Sequence, residues 1–298
     1  MTTNIELAKP RDFGEIINDT FIFIRQNFKP LMKYFFVFCG FFLLATAATS
    51  ILTQINMVRT VNNFNPNSFD ANNRFAAFSF LTPTYFLTIF FVLLEYISIS
   101  VMVLSYMALY KQKQNQVPEM DEMWGYFKFY FLKIFGSSLV MGILLIVASM
   151  LCLVPGVYLY PIMALVLPIM VIENTSFSYA FNQSFRLIKD NWWATFGVLV
   201  VIFIILYVAS LVVVIPSTLL GAGSIFLHLT KGTSISVTTV IITTLLSESA
   251  HIFQILTVVA TCLCYFNLTE SKEGTGLIER INQFGTANPD SNTTPEEY

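Results

Sequence analysis

The sequence predicts an all-α fold, a polytopic membrane helix bundle of about six transmembrane helices with cytoplasmic amphipathic interfacial helices. Three observations carry that reading: the composition, the length of the apolar runs and the placement of the basic residues. Of the 298 residues, 55% are hydrophobic and only 11% charged. An ordinary soluble domain is roughly 25% charged, so lipid has to cover much of this surface. The formal net charge of -2 lacks the concentrated basic surface that nucleic acid requires.

A helix needs about 20 apolar residues to cross the hydrocarbon core. Runs of that kind fall at about 31–55, 84–109, 133–154, 156–172, 193–215 and 244–266. The last belongs to a longer apolar stretch, Val237 to Phe266, which is either one tilted helix or a span preceded by an outer helix. With the N-terminus in the cytoplasm, six spans return the C-terminus there. All but Arg59, Arg74 and Lys231 of the 16 Lys and Arg then lie inside, as the positive-inside rule requires. This places the chain in a cell inner (cytoplasmic) membrane as a multi-pass protein. Trp124, Trp192 and Trp193 fall near the inner boundary, and Tyr158 and Tyr160 near the outer one.

The domain organisation follows. Residues 1–30 form a cytoplasmic N-terminus with an interfacial helix, 31–268 the membrane domain, and 269–298 a cytoplasmic tail, polar and disordered at its end. The first 30 residues lack a cleavable signal peptide, so the first span is expected to serve as an uncleaved anchor. Val154-Pro155-Gly156 reads as the tight turn between spans three and four, and the Asn-rich residues 56–83 as a solvated loop.

An internal repeat is visible. Phe13, Ile17, Phe21, Ile24 and Phe28 precede span one at helical spacing, and Phe177, Phe181, Phe185, Ile188 and Trp192 precede span five in the same way. Every pair is 164 positions apart (13 to 177), and Asn27 then matches Asn191. A weaker third copy, Met123, Phe127, Tyr130 and Ile134, precedes span three. The unit is an amphipathic helix suited to the interface followed by a transmembrane hairpin, expected to be used three times by rotation about the membrane normal. Arg25, Lys29, Arg186 and Lys189 on these helices are candidate lipid-headgroup contacts.

Few residues could carry chemistry. Glu95 lies within span two, where an ionised carboxylate costs roughly 2.5–3.5 kcal/mol. It reads either as a proton or cation site or as a buried hydrogen bond that fixes helix packing. Glu248 and His251 share a face of span six and form a candidate polar site with Glu95 if spans two and six are neighbours. Pro161 and Pro168 are candidate kinks in span four that free the carbonyls of Val157 and Ala164. Asn174 or Thr175 is a plausible cap for the next helix. Cys39, Cys152, Cys262 and Cys264 read as small buried hydrophobes. Catalytic, cofactor and local metal-ligand motifs are absent: there is no GxSxG, HExxH, Walker A or GxGxxG, and only two histidines, His228 and His251. No enzyme and no cofactor are expected. The expected partners are the lipid bilayer and membrane proteins, with the oligomeric state open.

One resemblance is specific enough to name. Leu167-Pro168-Ile169-Met170-Val171-Ile172-Glu173-Asn174, followed by Ala180 to Trp193, resembles the membrane domain attached to some bacterial glycerophosphodiester phosphodiesterases. The ending from Tyr265 to Ile281 looks like versions from the Bacteroidota. The likeness spans most of residues 12–282 and implies the membrane module alone, without the catalytic barrel and with no catalytic residue to carry over. These features favour a non-catalytic membrane scaffold or accessory subunit. The alternative is a small transporter or channel subunit using Glu95 and His251, and a membrane enzyme is a distant third.

Overall fold

A computed structural model describes residues 5–63, 82–231 and 236–274. Its elements are α1 (Phe13–Gln26), α2 (Phe28–Tyr34), a π-helical turn (Phe35–Cys39), α3 (Gly40–Asn63), α4 (Pro83–Gln112), α5 (Met120–Leu151), α6 (Leu153–Ile172), α7 (Phe177–Ile188), α8 (Trp192–Lys231), α9 (Val237–Ser249), a 3-10 turn (Ala250–Phe253) and α10 (Gln254–Glu273). Six helical stretches are long and apolar enough to cross a membrane. The fold is therefore an all-α bundle, as the composition requires. Helices suit this setting because hydrocarbon offers the backbone no partners. Side chains follow the same rule: the hydroxyls of Thr49, Thr88, Ser100, Ser137 and Thr261 each donate to the carbonyl one turn back.

The spans form three hairpins: α2–α3 with α4, α5 with α6, and α8 with α9–α10. The second arms, α4, α6 and α10, pack on one another and make the centre. In their most apolar stretches 50, 56 and 61% of residues are buried, against 33, 22 and 17% in the first arms. The first arms thus form the lipid-facing outer layer. Each hairpin's leading segment lies against the second arm of the hairpin before it. α5 packs on α4, α7 on α6, and α1 closes the ring on α10.

The 164-position repeat reappears in the packing. α1 buries Ile16, Asp19, Thr20 and Phe23, and α7 buries Ala180, Gln183, Ser184 and Leu187, position for position, with Ile188 in addition. The aromatic stripe of α1 faces outward: Phe13, Phe21 and Phe28 are exposed. The third copy departs from this. Met123, Phe127, Tyr130 and Ile134 are buried instead. α5 runs unbroken from Met120 to Leu151, whereas Asn27 and Asn191 interrupt the helix in the other copies. Without a break the helix phase cannot be reset, and the stripe turns inward.

Several sequence boundaries move. The turn between α5 and α6 is the single extended residue Cys152, which is exposed, while Val154, Pro155 and Gly156 lie inside α6. α3 continues to Asn63, and the rest of the Asn-rich loop, residues 64–81, lies outside the described residues, as does the tail from 275. Tyr158 and Trp192, assigned by sequence to opposite boundaries, stack with ring centroids 5.7 Å apart, because α7 folds back against α6. α8 has 40 residues, about 60 Å of helix, twice the hydrocarbon thickness. Its far half packs with α9 and leads toward α3, forming an outer cap on the bundle.

Gly156 is where α5 and α6 touch. A Cβ there would stand 2.4 Å from Ser149 Oγ and 3.3 Å from Ser149 Cα, whereas a Cβ at Gly136 meets nothing within 4 Å. Gly156→Leu is expected to cost about 1–3 kcal/mol through overpacking and Gly136→Leu to be near neutral. Thermal unfolding in detergent, followed by tryptophan fluorescence, checks the difference.

Candidate functional site

The Ala250–Phe253 turn divides the sixth span into α9, which packs on α3 and α8, and α10, which packs on α4. At this elbow His251 Nδ1 lies 2.9 Å from Glu95 Oε1 and 3.4 Å from Glu248 Oε2. The sequence left open whether spans two and six are neighbours; they are, and the three candidate polar residues meet. Gln254 Nε2 donates to the Tyr96 carbonyl at 3.1 Å and ties the same junction. About 24 Å of helix separates Glu95 from Lys111 and about 18 Å separates it from Pro83, so the cluster lies near the middle of α4, somewhat toward its Pro83 end.

Glu95 is 1% exposed. Its Oε2 has no hydrogen-bond partner, nor has Glu248 Oε2. His251 is the open side of the cluster, with 36% of its side chain exposed against 2% for Glu95 and 12% for Glu248. Ser50 of α3 stands beside Glu248, and the buried Thr46 hydroxyl on the same helix has no partner. Further out, α3 and α4 are joined by polar contacts: Thr53 with Thr88 at 3.0 Å and Asn56 Nδ2 with Thr84 Oγ1 at 3.4 Å. A strip of hydroxyls and amides therefore leads from the outer cap to the cluster. Among the described residues, Glu95, Glu248 and His251 are the three acid, His or Cys side chains that converge with metal-ligand geometry, their donor atoms lying within 4.8 Å of one another. Sequence spacing could not reveal this set, because 156 positions separate Glu95 from His251.

A cavity of about 220 Å³ lies among α4, α5, α6 and α10, with none of the three cluster residues in its walls. Tyr96, Ser100, Ser138, Tyr160, Pro168 and Thr257 are among its walls. Pro161 and Pro168 are both buried, but α6 stays helical through them, so they do not break the span. Ala164, whose carbonyl Pro168 frees, also lines the cavity.

No family model, curated protein or solved structure matches this chain. The site is therefore described by its own chemistry.

The opposite end of the bundle is built from charges that the sequence did not pair. Arg11 is buried, donates to Asp19 at 2.8 Å and to the backbone carbonyls of Glu6, Leu7 and Lys9, and its own amide donates to Asn267 Oδ1 at 2.7 Å. The N-terminal segment and the end of α10 thus share one end of the molecule. Arg186 pairs with Glu273 at 2.8 Å, and Lys272 with Asp190 at 2.8 Å. Arg186, a candidate headgroup contact, is thus engaged by a carboxylate of the chain itself, and Glu173 accepts a hydrogen bond from Tyr265 at 2.9 Å. Arg25, Lys29 and Lys189 are exposed, as headgroup contacts need to be. The cap of α7 is Ser176, whose Oγ accepts from Tyr179 N, rather than Asn174 or Thr175. Asn174 takes a left-handed conformation, φ 51°, and its side chain accepts from Tyr130 at 3.0 Å. No local sequence signal marks Arg11 as buried, since Asp19 lies 8 positions along the chain and Asn267 lies 256.

Glu173, just past the end of α6, has its carboxyl pushed above the ordinary range by burial, which the Tyr265 hydrogen bond offsets in part. The folded state therefore holds this proton more tightly than the unfolded state. The group's contribution is full below the ordinary carboxylate pKa and is lost as pH rises through the raised value. Glu173→Gln keeps an acceptor for Tyr265 and removes the titration. The variant is expected to match the wild type in melting temperature at low pH and to exceed it at neutral pH, as a thermal series across pH reads directly.

Proposed function

We propose that the chain is a small membrane carrier or channel subunit that handles a proton or metal cation at the Glu95–His251–Glu248 centre. The observation that carries this reading is Glu95, 1% exposed inside an apolar span, held by His251 at the break of the sixth helix. Ionisable groups within membrane spans mark ion and proton routes, and broken helices build midplane sites in transporters. A purely structural bundle has no need of two carboxylates converging on one imidazole. The hydroxyl strip between α3 and α4 supports an access route from the outer cap.

Orientation belongs to the same proposal. The basic residues put both ends in the cytoplasm of a bacterial cell, in its inner membrane, and the Arg11–Asn267 bond supports the two ends lying together. The centre then opens toward the outside. The resemblance to the phosphodiesterase-linked membrane domain is kept as a proposal and adds no site residue.

A scaffold or accessory role is the second reading, and the outward stripe of Phe13, Phe21 and Phe28 favours it as a surface for membrane partners. Proteoliposomes loaded with a pH-sensitive dye separate the two. Under a clamped membrane potential and an imposed pH gradient, with divalent cations present, the wild type is expected to carry protons faster than empty liposomes. Glu95→Gln, which keeps a hydrogen-bonding shape beside His251, is expected to fold and to slow that flux at least about tenfold. Wild type, variant and empty liposomes behaving alike would remove the carrier reading in favour of the scaffold.

A further inference from the structure

We infer that Glu95, Glu248 and His251 form a binding site for one divalent first-row transition-metal ion. This rests on the same centre as the carrier reading and names its ligand.

Two of the three donor pairs already have the spacing an ion needs. Two ligands held ~2.0–2.2 Å from one metal stand roughly 2.9–3.5 Å apart in octahedral or tetrahedral geometry. His251 Nδ1 lies 2.9 Å from Glu95 Oε1 and 3.4 Å from Glu248 Oε2, and the three donor atoms fall within 4.8 Å of one another. A second observation points the same way. Glu95 Oε2 is buried with no hydrogen-bond partner, which is costly in an apolar span. An ion between the carboxylates supplies what the protein withholds. The imidazole selects the class: one nitrogen with carboxylate oxygens suits Mn²⁺ through Zn²⁺, whereas Mg²⁺ and Ca²⁺ prefer oxygen alone. Three protein ligands leave coordination positions free on the exposed His251 side, where water or an incoming ligand can bind.

Tag-free full-length protein, stripped with chelator and monodisperse in detergent, tests this by calorimetric titration with Zn²⁺. The expected result is one Zn²⁺ per chain. Mg²⁺ in excess should not compete. Co²⁺ should give visible absorption bands that Zn²⁺ abolishes. His251→Gln is expected to weaken binding at least about tenfold, and Glu95→Gln and Glu248→Gln each to weaken it as well. Circular dichroism confirms that each variant is helical. Folded wild type that binds no Zn²⁺, or binds no better than His251→Gln, overturns the inference. Zinc binding without flux in proteoliposomes would uphold this site and remove the carrier reading. Proton flux without zinc binding would do the reverse.

Discussion

Every polar group inside this bundle has to find its partner within the protein, because the hydrocarbon around it offers none. That constraint explains the helices, the back-bonded hydroxyls and the tyrosine contacts, such as Tyr106 to Asn27 at 2.7 Å and Tyr265 to Glu173. It also makes the exceptions stand out, among them a deeply buried carboxylate. Glu95 satisfies one oxygen through His251 and leaves the other without a partner. The contact joins α4, in the centre of the bundle, to the elbow between α9 and α10. It is made where the sixth helix abandons α-geometry for a 3-10 turn, a feature that often marks a functional hinge.

The architecture places this contact at a boundary between two parts of the molecule. The trio α4, α6 and α10 forms the buried centre, while α3, α9 and the far half of α8 form the outer cap. Glu95 belongs to the first, Glu248 to the second, and His251 to the turn between them. A change of proton or ion at the cluster therefore acts on the joint between centre and cap. The repeat shows why the two ends of the bundle differ. At the Lys111 end, breaks at Asn27 and Asn191 let α1 and α7 present matching faces to the core, each with a polar pair flanked by apolar residues. At the cap end, the hairpins diverge, and the third has the broken arm that carries the site.

Much of the fold was legible because lipid imposes it. Six apolar runs and the charge distribution are read residue by residue, and each survives in the structure as a spanning helix. The repeat between α1 and α7 was legible for the same reason, since helical periodicity is local. The third copy misled, because the stripe Met123–Ile134 has the right spacing but an uninterrupted helix turns it inward. The candidate residues were also legible one at a time: a carboxylate at position 95 is costly wherever it points. Their convergence was not, because it depends on which second arms pack together. Nor could spacing reveal the 3-10 elbow, the one-residue turn at Cys152, or the burial of Arg11 against Asp19.

The central claim is that Glu95 and His251 act as one unit across the α4–α10 junction. A double-mutant cycle on unfolding in detergent measures it most directly, using Glu95→Ala, His251→Ala and the pair. The account predicts a coupling of about 1 kcal/mol or more, because removing either partner strands the other in an apolar setting. Effects that add to within about 0.5 kcal/mol, as for independent sites, would contradict it.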